Sequence, residues 1–180
     1  MKITLSKTHR SIALACATDE DRPVLTCLCV RNGWVAAADG FILARMRHPY
    51  RGRQVLFPAT FLKHFKRCED VVFTVTPKRI TGDTGKFAVT IPRPDLGTFP
   101  DHTIVVGDAL NHEPGDHVAF SPQLMRRVLE IHAVIDRCVS TKLYVHGASE
   151  PMVLRAEVYD DALEHHTDIE LVIMPMFAQW

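Results

Sequence analysis

A chain of 180 residues with 47% hydrophobic and 23% charged side chains can bury roughly 70% of the surface its unfolded form exposes, so an ordinary core suffices and no covalent staple is required. Its 21 basic and 21 acidic residues cancel, which excludes a uniform polycation and leaves any affinity for nucleic acid to the local placement of charge. No apolar run approaches the ~18 residues of a membrane span, and residues 1–10, MKITLSKTHR, lack the apolar centre of a signal peptide. The five cysteines, odd in number and mostly within apolar segments, read as reduced thiols; the expected compartment is the cytoplasm, with no membrane partner.

In chain order, residues 2–5 read as a short strand, Ser6 as an N-cap and residues 7–18 as a helix with Ile12, Ala13 and Cys16 inward. The acidic residues 19–21 end it. Residues 24–30 then read as a buried strand that turns at Asn32-Gly33, a pair suited to the positive φ of a tight hairpin, into residues 34–38. Asp39-Gly40 makes a second turn into residues 41–48. Cys27 and Cys29 face the same side of their strand; two such thiols are half a metal site, but a second close pair of ligands is lacking, and small buried side chains fit better.

The same order returns from residue 54: strand 54–57, Pro58 at a helix start, helix 59–67 with Phe61, Leu62 and Phe65 inward, and strands 71–76, 79–81 and 86–91. Residues 92–116, rich in Pro, Gly and Asp, read as a crossing between domains with one short strand at 103–106. A third unit follows: strand 117–120, Ser121 and Pro122 opening a helix over 122–134, with Leu124, Val128 and Leu129 inward and Gln123, Arg126, Arg127 and Glu130 outward, then strands 140–145, 152–158 and 168–176. In the last strand Ile169, Leu171 and Ile173 alternate with Glu170, Val172 and Met174 until Pro175, a proline that suits a sheet edge or a terminus. The chain is therefore α+β, an internal repeat of βαβββ units with antiparallel sheets and helices on one face. Its expected domains are 1–106, made of units 1–52 and 53–106, and a half-domain at 107–180.

Three strings on this frame carry a resemblance: AADGFILAR at 37–45, FPDHTIVV at 99–106 and VIMPM at 172–176. Together with the repeated βαβββ order, the chain resembles the bacterial DNA polymerase III beta subunit, the sliding clamp family, as a half-length, three-unit relative. Clamp subunits in that family carry six such units in three domains, and about twelve units close a ring with helices inside and sheets outside. The resemblance implies assembly, as a tetramer or as a dimer in which the unpaired third unit is completed by its twin. An open half-domain edge favours the same outcome.

Two surfaces follow from the resemblance. A cationic wall facing encircled duplex DNA, bound without sequence preference, would be formed by Lys7 and Arg10, then Lys63, Lys66 and Arg67, then Arg126 and Arg127; solvated helix faces are the plainer alternative. A groove for the leucine and phenylalanine anchors of polymerase or repair-protein peptides would be formed by Gly40, Leu43, Val172, Met174, Pro175 and Met176. Packing of the terminal methionines within their own domain is the alternative there. Ala38, Phe41 and Ile42 depart from the family's threonine, histidine and arginine, which changes the polar selectors of that groove.

No enzyme is expected, with no catalytic residue, metal or cofactor. Residues 81–85, TGDTG, suit a hairpin better than a phosphate cradle, and no serine or cysteine has a nucleophile's setting. The densest potential ligand set, Glu164-His165-His166 with Asp168 and Glu170, suits an exposed loop better than a converging site. Two functions remain: a DNA-tethering processivity factor, and a clamp-derived adaptor or decoy that binds clamp-interacting peptides without encircling DNA.

Overall fold

The computed structural model describes residues 1–19, 21–111, 120–134, 141–146, 150–160 and 165–175, with backbone alone at 108–111, 134, 158–160 and 165–167. β1 (Lys2–Ser6) leads into α1 (Lys7–Ser11), whose N-cap Ser6 accepts from the His9 amide at 3.2 Å, and a 3-10 turn Ile12–Ala15 continues it. The helix expected over 7–18 is thus shorter and tighter at its end. A second 3-10 turn, Pro23–Thr26, replaces the start of the expected strand, because Pro23 presets its first residue. β2 (Cys27–Arg31), β3 (Trp34–Ala38) and β4 (Ile42–Arg47) then form a meander. Its first turn is the expected one, with φ +46° at Asn32 and +91° at Gly33.

β5 (Val55–Pro58), α2 (Ala59–Leu62) with a 3-10 turn Lys63–Phe65, and β6 (Asp70–Val75), β7 (Arg79–Asp83) and β8 (Ala88–Pro92) repeat the pattern. The two units exchange first strands. β1 pairs with β6, to give the sheet β1-β6-β7-β8, and β5 pairs with β2. Neither sheet is complete without a strand from the other unit, so the pair is interlocked.

The strand expected at 103–106 is instead part of a helix, α3 (His102–Asn111). Thr103, Ile104, Val105 and Val106 have strand propensity, but Asp101 accepts from both the amide (3.0 Å) and the hydroxyl (2.6 Å) of Thr103, an N-cap that commits the backbone to a helix. α4 (Pro122–Val134) has the bounds read from the sequence. Val128 and Ile131 are fully buried on it, whereas Leu129, expected inward, is 53% exposed. Of the strand expected at 117–120, residues 117–119 lie outside the described residues.

β9 (Lys142–Tyr144), β10 (Met152–Asp160) and β11 (His165–Ile173) complete the third unit. They extend the first unit's meander into a seven-stranded sheet, β5-β2-β3-β4-β11-β10-β9. β11 runs antiparallel to β4 from Ile169 opposite Met46 to Ile173 opposite Ile42, so it lies inside the sheet. Pro175 stands just beyond the last ladder bond, from the Met174 amide to the Phe41 carbonyl at 2.9 Å. It ends pairing without interrupting it.

Strand alternation divides the apolar residues between two faces. Leu28, Val30, Val35, Ala44, Met46, Leu154, Ile169 and Leu171 join Ile12 of the first helical segment, Phe61, Leu62 and Phe65 of the second, and Val128 and Ile131 of α4 in the main core. The helices of all three units therefore cover one face. On the other face Cys27, Cys29, Ala36, Leu43, Val153 and Val172 form a smaller core closed by Phe99 and Val106 from the crossing segment. Burial raises the thiol pKa of Cys16 and Cys27 and pushes that of Cys29 up to about 12, so these are inert apolar groups.

Candidate functional site

The joint between β4 and β11 assembles most of the expected groove residues. Leu43 lies opposite Val172 in the ladder, and both are buried in the smaller core that also holds Phe99 and Val106. At the end of the same two strands the turn Asp39-Gly40-Phe41 is held by Asp39, whose Oδ1 accepts from the amides of Phe41 (2.8 Å) and Ile42 (2.9 Å). Gly40 has φ +97°, a conformation that favours glycine, and a Cβ there would lie 3.4 Å from the Arg22 guanidinium. Phe41 is 64% exposed and Met174 38%, and the backbone bond between them holds the two together on the rim. Pro175 is half-buried, and Met176 lies outside the described residues. The result is an exposed apolar pair, Phe41 and Met174, at the end of strands whose Leu43 and Val172 are buried.

The polar side of this joint was not foreseen as a unit. Arg45 Nε donates to Glu170 Oε2 at 2.6 Å, with side chains only 9% and 4% exposed. The Arg45 and Arg47 guanidinium groups stack against Trp34 at 4.1 and 3.8 Å from the ring centroid, and the His102 ring meets Trp34 edge-on. Burial, with Arg45 and Arg31 nearby, lowers the His102 pKa to about 4. Alternation was the available signal, since Trp34, Arg45, Arg47 and Glu170 share a sheet face with Leu43 and Val172.

The seven expected cations do not share one environment. Lys63, Lys66 and Arg67 are exposed around the end of the second helical segment, and Lys7 is half-buried. Arg126 is exposed but donates to Glu130 at 3.0 Å, one turn along α4. Arg127 pairs with Asp39, so it ties α4 to the Gly40 turn. Arg10 corrects the expectation outright: it is 7% exposed and its guanidinium donates to the carbonyls of Leu5, Phe65, Cys68 and Glu69. It closes the C-terminal end of the neighbouring helical segment, satisfying carbonyls that no helical amide reaches, and burial lowers its pKa.

Among the described residues no three His, Cys, Asp or Glu side chains converge as metal ligands. Of the cluster weighed above, Glu164 lies outside the described residues, Asp168 accepts from Arg155 at 2.6 Å and Glu170 is held by Arg45. No helix among the described residues is long and apolar enough to cross a membrane.

No family model and no curated protein matches the sequence. Solved structures do match the fold. The DNA polymerase sliding clamp of Bacillus subtilis superposes with a TM-score of 0.68 at 16% identity, over 99% of this chain and 65% of that one. A sliding clamp of Pseudomonas aeruginosa, solved bound to griselimycin, gives 0.65 at 15% identity over 99% and 66%, and the DNA polymerase III beta subunit of Thermotoga maritima gives 0.66 at 12% over 99% and 66%. The chain thus has the sliding-clamp fold and spans about two thirds of the length of these clamps.

Proposed function

We propose that the chain is a non-enzymatic, sliding-clamp-like tether that assembles from several copies around duplex DNA and holds partner peptides on its outer side. The observation that carries this reading is the common face of the three helical segments, in a chain whose whole length matches clamps. This reading places Lys63, Lys66 and Arg67 on a DNA-facing wall, with Lys7 behind them and Arg126 beside its partner Glu130; Arg10 is withdrawn from it and Arg127 is paired with Asp39. Contacts of this kind bind phosphates by releasing counterions, without reading bases, and so permit sliding. With about four contacts per copy, affinity for duplex should fall roughly 100-fold per copy between ~50 and ~200 mM salt.

The peptide site in this reading is the joint around Gly40, Leu43, Val172, Met174, Pro175 and Met176, with Phe41 added to its rim. Two apolar anchors at ~1.5–3 kcal/mol each, less the cost of ordering a peptide, give micromolar affinity. Because Leu43 and Val172 are buried in the smaller core, an anchor reaches them only by opening that core, whereas Phe41 and Met174 are open. The proposed division is a two-unit domain at 1–106 and a half-domain at 107–180, in a cytoplasmic homo-oligomer.

The second reading, an adaptor or decoy that binds clamp-interacting peptides without DNA, is favoured by one observation: the burial of Arg10 and the pairing of Arg127 thin the cationic face. A salt titration of binding to a linear duplex separates the two. The tether reading expects a steep loss with salt that flattens when Lys63, Lys66 and Arg67 are changed to alanine; no measurable binding at ~50 mM salt favours the adaptor.

A further inference from the structure

A second concave surface lies at the opposite end of β4 from Phe41. It is a hollow of about 430 Å³ between Ile3 and Thr4 of β1 and Pro49 and Tyr50 of the segment after β4, with the buried rings of His9 and His48 as its floor. Phe41 precedes β4 and His48 follows it, so the two surfaces are ~20 Å apart at ~3.3 Å per residue. A volume of this size is that of a small ligand site.

The ring nitrogens of the floor are already committed. A backbone amide only donates and a carbonyl only accepts. His48, which takes the Tyr50 amide at Nδ1 (3.1 Å) and gives Nε2–H to the Thr4 carbonyl (2.9 Å), is therefore held as the Nε2–H tautomer. His9 is placed in the same way, with Nε2–H on the Arg47 carbonyl (3.0 Å) and Nδ1 against the Ser6 hydroxyl (2.8 Å). The two rings meet edge to face at 4.8 Å. An occupant meets ring carbons, Ile3 and Pro49, and its own hydrogen-bonding groups would find few partners there.

The rim is cationic. Lys2 stands on one wall, and Arg51 and Arg53 follow Tyr50 on the other; all three are exposed, and among the described residues none is ion-paired with a carboxylate. The second wall is preset, with Arg51 Nη1 on the His48 carbonyl at 2.9 Å and the Tyr50 hydroxyl on the Arg53 carbonyl at 3.0 Å. Asp70, opposite Ser6 in the ladder, is at the other end of β1 from Lys2. In a chain whose charges cancel overall, three unmatched cations thus border one apolar hollow.

We infer that the hollow docks an acidic peptide segment of a partner protein, with one large apolar side chain seated in it and carboxylates on Lys2, Arg51 and Arg53. Guanidinium forks suit carboxylates and phosphates alike. A nucleotide base is the poorer occupant, because its polar edges would be buried against a floor whose ring nitrogens are taken. The site is separate from the DNA-facing cations and from the Phe41 and Met174 pair, and it goes beyond both readings of function without depending on either.

Fluorescence anisotropy of the full chain tests this with a short labelled peptide carrying one phenylalanine among aspartates and glutamates. The comparison probes are the same peptide with alanine for phenylalanine, the same peptide with its acids changed to amides, and an oligothymidylate of equal length. The acidic phenylalanine peptide is expected to bind with a dissociation constant on the order of 10–100 μM at ~50 mM salt, and each comparison probe at least roughly 10-fold more weakly. R53E is expected to weaken binding roughly 10-fold with an unchanged circular dichroism spectrum, whereas K86E, an equal charge change on the turn between β7 and β8, leaves it within about twofold. T4F, which fills the hollow from an exposed position, brings the phenylalanine and alanine peptides to equal affinity. No binding at ~1 mM, equal affinity of those two peptides for the wild type, or equal damage from R53E and K86E overturns the inference. So does tighter binding of the oligothymidylate that R53E abolishes, which would make this a nucleic-acid site. None of these results alters the salt-dependent duplex binding expected of the tether.

Discussion

Glu170→Ala should be the most damaging single change at the joint between β4 and β11. Wild-type Glu170 accepts from Arg45 at 2.6 Å, and Arg155 Nε lies 3.6 Å from its other oxygen. Arg155 is 40% exposed and keeps Asp168, so it loses little. Arg45 is 9% exposed and would be left with the Trp34 face and long contacts to His102, 3.4 Å to the ring Nδ1 and 3.5 Å to the carbonyl, neither of which carries a balancing charge. An uncompensated buried charge of this kind costs about 3–5 kcal/mol, against the few tenths expected of a surface pair. With a urea m-value of about 2 kcal/mol/M, the unfolding midpoint should fall by roughly 2 M. The double variant Arg45→Met with Glu170→Leu should recover most of this loss, because two apolar side chains replace two charges without leaving either alone. A loss below about 1 kcal/mol in the single variant, or an equal loss in single and double variants, would refute the claim that this ion pair ties the third unit to the first.

Acid should weaken the same joint. The His102 pKa of about 4 lies below the unfolded value of 6.5, so between these pH values the unfolded chain holds the extra proton. The stabilisation is complete above about pH 6.5 and is lost as pH falls toward 4, with about 2 kcal/mol gone between pH 7 and pH 5; His102→Asn should flatten that part of a urea-midpoint profile. Gly82→Ala should cost about 1–3 kcal/mol in the same assay, since its Cβ would stand 2.5 Å from Phe65 Cζ and 2.8 Å from Phe73 Cε1. Phe41→Ala with Met174→Ala should weaken a peptide carrying leucine and phenylalanine anchors by roughly 10-fold or more in calorimetry while leaving thermal unfolding within a few degrees. Unchanged affinity would move the peptide site away from this rim.

Local signals carried much of the fold. Asn32-Gly33 specified its hairpin, Ser6 its helix cap, and Ser121-Pro122 the start of α4. The strand exchange between the first two units was not legible, because alternation assigns faces but not the strand beside which each one lies. The same limit hid the neighbours of β11, in which Ile169–Ile173 pair on both sides. Residues 103–106 misled through their β-branched side chains, where the capping side chain of Asp101 was the stronger signal. On the cationic face, spacing could count charges but could not see that the end of the second helical segment leaves carbonyls for Arg10 to satisfy, or that the Gly40 turn presents Asp39 to Arg127. That Leu43, Val172 and Met174 would come together on one strand pair followed from the resemblance; that Phe99 and Val106 join Leu43 and Val172 in one core depends on the path of the crossing segment and was not legible.

Retention on DNA of different topology bears most directly on the tether reading. The protein, assembled on a nicked circular plasmid and passed through gel filtration at moderate salt, should co-elute with the circle and be released when the same plasmid is cut once. Equal retention on circular and linear forms, or none on either, would contradict encirclement.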